Sequence, residues 1–155
     1  MSILVVFYSR TNTTKKVAEE LARRLDAETM EIKTTDERGG AWGYMRCARE
    51  AIRKKEAKIT PPDKGVENFN LVIIGTPVWA HNMSSPIRAF INANKDKFQK
   101  VAFFCTMGGS GASTVFKQLE DLVGLKPKNT AEFLTKEVVQ GDYKNKLDKF
   151  IEDFK

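Results

Sequence analysis

Leu71-Val72-Ile73-Ile74 is an unbroken aliphatic run that stops at Gly75, and it constrains the fold more than any other part of the chain. Four consecutive apolar residues leave no polar face, so a strand here must be covered on both sides. Pro77, Trp79 and Asn82 follow in what reads as a loop, and Ser84-Ser85-Pro86 then opens an amphipathic run with apolar Ile87, Phe90 and Ile91. Serine ahead of a proline in the first helical turn is an N-cap signal. The unit reads as buried strand, exposed aromatic loop, helix. A bulky indole at the carboxyl end of a buried strand has two uses. It caps a core or a subunit contact, or it holds a flat ligand.

The same unit recurs along the chain. Ser2 to Tyr8 is a second uninterrupted run, followed by Ser9-Arg10-Thr11-Asn12-Thr13-Thr14 and a helix over Thr14 to Leu25. Val17, Ala18, Leu21, Ala22 and Leu25 share one face of that helix, and Lys15/Glu19/Arg23 and Lys16/Glu20/Arg24 form two i,i+4 charge series on the other. Glu28 to Lys33 reads as a strand with Met30 and Ile32 inward, Thr34 to Gly40 as a loop and Ala41 to Lys55 as a helix. On that helix Tyr44, Ala48 and Ile52 share one face and Arg46, Arg49 and Arg53 another. Ile59 to Asn70 is irregular. Val101 to Cys105 is another buried strand, ending in a Gly/Ser-rich turn and a helix over Ala112 to Leu122 closed by Gly124. Ala131 to Val139 reads as the last strand and Tyr143 to Phe154 as a terminal amphipathic helix. Five strands alternating with five helices in one domain over residues 1–155 imply a parallel sheet with helices on both faces. Such sheets bind ligands beyond the carboxyl ends of their strands, where the strand order reverses.

Composition narrows the function classes. His81 is the only histidine and the two cysteines, Cys47 and Cys105, form no metal-spaced cluster, so no metal site is expected. Two unpaired thiols fit a reducing cytoplasm. The apolar start, Met1 to Tyr8, is too short for a signal sequence or a membrane span. Lys and Arg outnumber Asp and Glu by 26 to 20, and the net charge of +6 favours anionic ligands or acidic partners. Nothing points to a nucleic-acid partner. The turn from Ser9 to Thr14 is the sharpest local signal. Five of its six residues are Ser, Thr or Asn, more than one helix cap needs. Hydroxyls and unpaired N–H groups between a buried strand and a helix N-terminus make an anion site.

In element order and loop positions, over essentially its whole length, the chain resembles the flavodoxin family. Ser9-Arg10-Thr11-Asn12-Thr13-Thr14 resembles the family's hydroxyl-rich FMN phosphate loop. Thr76, Pro77, Val78, Trp79 and Ala80, with His81, Asn82 and Met83 beyond, are similar to the loop that stacks an aromatic on the isoalloxazine. Thr106-Met107-Gly108-Gly109-Ser110-Gly111 matches the position of the third loop, at the ring's other side or pyrimidine edge. The resemblance implies a three-layer doubly wound α/β sandwich with a five-stranded parallel sheet in the order 2-1-3-4-5. It also implies FMN as cofactor and these three loops as its site.

Two departures from the family pattern bear on chemistry. Asn12 stands where the family usually has glycine and Thr13 where it has asparagine; asparagine is the next residue after glycine to tolerate a left-handed backbone. Ala80 stands where flavodoxins often have a glycine whose peptide flips to bond N5–H of the semiquinone. If the flipped state needs a positive φ, alanine costs ~1–2 kcal/mol, or roughly 40–90 mV for one electron. The leading expectation is an FMN-binding electron carrier between protein partners, with an acidic surface on the partner. The alternative is an FMN-dependent NAD(P)H reductase acting on a quinone, free flavin or other acceptor, favoured by Ala80, the Gly75-Thr76-Pro77-Val78-Trp79-Ala80 stretch and the basic balance. A binding module without flavin is opposed by the intact Pro77-Val78-Trp79, and a response-regulator receiver by the lack of acidic residues after Tyr8 or Ile74.

Overall fold

Strand β1 (Ile3–Phe7) pairs in parallel with β3 (Leu71–Trp79) along the two aliphatic runs, Leu4 opposite Val72 and Val6 opposite Ile74. The computed structural model describes residues 1–35 and 40–154. Outside this central pair lie β2 (Glu28–Glu31), next to β1, and β5 (Val101–Met107) and then β6 (Thr130–Leu134), on the side of β3. The order β2-β1-β3-β5-β6 is the expected 2-1-3-4-5 once the two-residue β4 (Asn82–Met83) is set aside. That extra strand returns antiparallel on the end of β3, with Val78 opposite Met83 and Trp79 opposite Asn82.

Six helices cover the sheet among the described residues: α1 (Thr13–Leu25), α2 (Gly40–Ile52), α3 (Ser85–Ala93), α4 (Ala112–Val123), α5 (Thr135–Gln140) and α6 (Lys144–Ile151). Alternation along the strands sorts the core in two. Leu4, Val6, Val72, Ile74 and Phe103 pack with Cys47 and Ala51 of α2, Ile87 and Phe90 of α3 and Val115 and Leu119 of α4. Val5, Phe7, Ile73 and Phe104 face the other way, onto Val17 and Leu21 of α1 and Leu147 and Phe150 of α6. Both faces of the central strands are dry, as their unbroken apolar runs require.

Local departures from the sequence reading have identifiable causes. The strand expected over Ala131 to Val139 stops at Leu134, because Leu134 N–H is accepted by the Glu137 carboxylate at 3.2 Å and α5 begins. Ser84 stands at the N-cap of α3 with Pro86 in the first turn, but its side chain does not cap. Ser84 N–H and Oγ both meet Thr76 Oγ1, each at 3.0 Å. On α1, Glu20 takes both Arg23 and Arg24, at 2.7 and 2.8 Å, rather than joining one of two separate series. The loop expected over Thr34 to Gly40 lies largely outside the described residues.

Gly75 marks the one place on β3 where a side chain is excluded. A Cβ there would lie 2.1 Å from the Phe104 ring, which is itself held edge-on against Phe133 at a centroid distance of 6.2 Å. Gly75→Ala therefore overpacks the sheet face and is expected to lower stability by ~1–3 kcal/mol, read as a reduced urea midpoint at an unchanged m-value.

Candidate cofactor site at the strand ends

Where β1 and β3 diverge, three loops meet around a cavity of about 140 Å³. Its walls are Ser9, Arg10, Thr11, Thr13 and Thr14 after β1, Pro77, Val78 and Trp79 at the end of β3, and Thr106, Met107 and Gly108 at the end of β5. Tyr44 of α2 and Thr135 of α5 complete the lining.

The first loop is built to leave donors unspent. Asn12 adopts a left-handed φ of 69° at the N-cap of α1, the conformation asparagine tolerates best after glycine. Lys16 N–H makes the first intrahelical bond, to Asn12 O at 3.0 Å, and Lys15 N–H is taken by Ser9 Oγ at 3.2 Å. The N–H groups of Thr13 and Thr14 precede that first bond, at the positive end of the helix dipole. The buried Thr14 and Thr106 hydroxyls share a hydrogen bond of 2.8 Å and tie the first loop to the third. Arg10 reaches to α2: one terminal nitrogen donates to Gly40 O at 3.4 Å and its guanidinium lies 5.5 Å from the Tyr44 ring centroid. Arg10 Nε is buried without a hydrogen-bond partner. An orphaned charged donor is costly to bury, and beside four hydroxyl side chains its natural complement is an anion.

The second loop differs from the exposed aromatic loop read from the sequence. Strand β3 continues through Trp79, whose indole is only 8% exposed and meets the Tyr8 ring edge-on at 5.5 Å. The chain reverses through two residues, Ala80 and His81, with φ values of 49° and 64°. Two positive φ angles in a two-residue hairpin define a type I′ turn, which normally takes Asn-Gly. A short chain of polar contacts holds it. Asn82 Nδ2 donates to Ala80 O at 2.7 Å, Gln118 Nε2 donates to Asn82 Oδ1 at 2.6 Å, and Met83 N–H donates to Gln118 Oε1 at 3.1 Å. Ala80, His81 and Asn82 thus shape the turn and do not wall the cavity. Thr76 and Met83 are fully buried behind it.

The third loop presses on this hairpin. A Cβ on Gly111, whose φ is 109°, would lie 2.8 Å from Val78 Cγ1 and 3.1 Å from His81 Cα. Gly109 and Ser110 are exposed and open instead onto a neighbouring hollow, shared with Lys146. Tyr44 and Thr135 are the two lining residues that sequence reasoning did not assign to the site. Thr135 Oγ1 donates to Met107 O at 3.2 Å, and the Thr-Lys-Glu opening of α5 was its available signal. Tyr44 carried no local signal, because its place depends on which face of α2 packs. Buried Cys105, behind the third loop, has its thiol pushed up to about 12 by desolvation, so it stays protonated and takes no part in thiolate chemistry. Among the described residues there is no metal-binding cluster and no helix long and apolar enough to cross a membrane.

Gly111→Ala is expected to cost ~1–2 kcal/mol from the positive φ and to displace the hairpin as well. A lowered urea midpoint with shifted backbone amide resonances at Ala80 and His81 is the expected result; unchanged amides would mean that the loop gives way instead.

A family model described as Flavodoxin matches residues 2–153. Among solved structures, a flavoprotein in complex with FMN from Lactobacillus acidophilus NCFM is 25% identical, with a TM-score of 0.75 over 90% of this chain and 97% of its own. A protein from Bacteroides eggerthii DSM 20697 is 22% identical, with a TM-score of 0.74 over 96% of this chain and 97% of its own. An NADH:FMN oxidoreductase in its apo form shares the fold at 16% identity and a TM-score of 0.54, over 97% of this chain and 88% of its own. No curated protein matches the chain.

Proposed function

This chain belongs to the flavodoxin family, and from that premise we propose that it binds FMN at the strand ends and carries electrons between protein partners. The observation that carries the reading is Arg10 Nε, buried and partnerless beside Ser9, Thr11, Thr13 and Thr14. A phosphate dianion supplies acceptors to that nitrogen, to the hydroxyls and to the N–H groups of Thr13 and Thr14. The enclosed space suits a phosphate and the polar chain behind it, and Tyr44 and Trp79 are the two aromatic rings of the lining available to a flat ring system. FMN, when bound, supplies reversible one- or two-electron chemistry. The chain's own residues bind the phosphate, exclude water behind Thr14 and Thr106, and fix the backbone beside the ring.

Charge-assisted hydrogen bonds contribute ~1.5–3 kcal/mol each, so two of them alone favour FMN over riboflavin by at least about 100-fold. Titration of flavin fluorescence in the purified protein measures both affinities. Equal affinities would remove the Ser9–Thr14 loop as the anchor.

A second reading, an FMN-dependent NAD(P)H reductase acting on a quinone, flavin or other small acceptor, is favoured by the clamped turn. Flipping the peptide between Ala80 and His81 would convert the I′ turn to II′, whose first central position is essentially reserved for glycine. It would also break the 2.7 Å bond from Asn82 to Ala80 O. A backbone that resists resetting disfavours stepwise one-electron traffic and suits paired electrons. Ala80→Gly should then separate the two one-electron midpoint potentials further than in the wild type, because glycine alone accepts the first central position of the II′ turn, read by anaerobic spectroelectrochemical titration. Identical titration curves would make Ala80 a spacer and leave the carrier reading ahead.

A further inference from the structure

Helix α2 packs the wrong way round for a helix that serves only its own core. Its buried side consists of Gly43, Cys47 and Ala51, all small. Its outward side carries Trp42 at 83% exposure, Met45 at 61% and Ile52 at 61%, interleaved with Arg46, Arg49 and Arg53. Positions 42, 45, 49 and 52 follow the i, i+3, i+7, i+10 spacing of one helical stripe. Trp42, Met45, the three arginines, Lys55 and a single acid, Glu50, line a groove of about 660 Å³. Of these charges, Arg46 is paired with Glu50 at 3.3 Å, and Glu50 also accepts the Ser85 hydroxyl at 2.7 Å. An exposed stripe of Trp, Met, Ile and Arg has the composition of an interface centre, not of a solvated face.

We propose that this face of α2 docks an electron-transfer protein with an acidic rim around an apolar centre. The proposal rests on the carrier reading and names the chemistry of its partner. Charge complementarity chooses the occupant. A second copy of this chain in a two-fold interface would set Arg49 and Arg53 against the same residues of its mate, so like charges would face one another. An acidic surface meets the same groups with opposite sign. The position is also apt: Tyr44, one residue from Met45, lines the cofactor cavity, and Arg10 of the phosphate loop donates to Gly40 O at the start of α2 at 3.4 Å. A protein seated on α2 therefore lies beside the cavity mouth.

The test uses a plant-type [2Fe–2S] ferredoxin, a small acidic electron carrier, as the probe, with basic cytochrome c as its opposite. Binding is measured by calorimetric titration for the wild type, Arg49→Glu/Arg53→Glu and Trp42→Ala. At about 20 mM ionic strength the ferredoxin is expected to bind wild type, and charge reversal to weaken binding about tenfold or more. At about 500 mM the reversal effect should shrink, whereas Trp42→Ala should weaken binding at both salt levels. Cytochrome c should not bind. No ferredoxin binding at low salt, or binding indifferent to the reversal, overturns the proposal. So does a wild-type dimer that Trp42→Ala dissociates in sedimentation, or tighter association with phosphatidylserine vesicles than with ferredoxin. FMN affinity of the same proteins is read in parallel and should not change, because neither substituted arginine nor Trp42 lines the cofactor cavity. Failure of FMN to bind wild type strikes at the proposed function, whereas intact FMN binding without docking strikes at this inference alone.

Discussion

The parallel pairing of β1 with β3 is the constraint on which the rest of the molecule depends. Each strand is apolar on both faces, so each must be central, and the register Val6 to Ile74 sets their carboxyl ends side by side. Helices leave these two ends in different directions because the neighbouring strands lie on opposite sides, β2 beyond β1 and β5 beyond β3. A gap between the departing loops is the geometric consequence. The bond between Thr14 and Thr106 joins two of its walls, and the close packing of Gly111 against Val78 and His81 backs a third. The site is thus a product of the sheet order, finished by two close contacts.

Within that frame, three of the six non-glycine residues with positive φ among the described residues lie in the loops at the strand ends. Asn12, Ala80 and His81 all have positive φ, and none of them is glycine. Such conformations persist only where the surroundings over-determine them. For Asn12 the surroundings are the start of α1 and the Lys16 bond. For Ala80 and His81 they are the β3–β4 pairing and the Asn82–Gln118 contacts, with Gln118 supplied by α4, an element remote in sequence. A turn with Ala-His in place of Asn-Gly is held by its neighbours rather than by its own preference.

The alternation of strands and helices and the hydroxyl-rich turn after β1 were legible in the sequence because each rests on local patterning, whereas the sheet order came from the family resemblance. Unbroken Val/Ile/Leu runs can only be central strands, and five hydroxyl or amide side chains in six positions exceed a cap. The short β4 was not legible, since two residues of strand carry no pattern and the turn before it breaks the usual residue preferences. The end of the last strand was missed because alternation in Thr130 to Val139 suits either element until the Glu137 contact decides it. Trp79 was expected at the surface. Its 8% exposure follows from β3 running two pleats further than its aliphatic stretch, a tertiary effect of pairing with β4.

Helix α2 connects these points. Its periodicity puts Tyr44, Ala48 and Ile52 on one face and Arg46, Arg49 and Arg53 on another, and Gly43, Cys47 and Ala51 are the residues buried. A helix that offers small side chains to a sheet sits close to it, and the gain is short-range packing rather than a large buried area. Tyr44, at the border of the packed face, is brought to the cavity, where the Arg10 guanidinium lies against its ring. The large residues, Trp42, Met45 and Ile52, are turned outward with the arginines. Helix α2 therefore adds Tyr44 to the strand-end cavity and leaves an apolar, basic stripe facing outward.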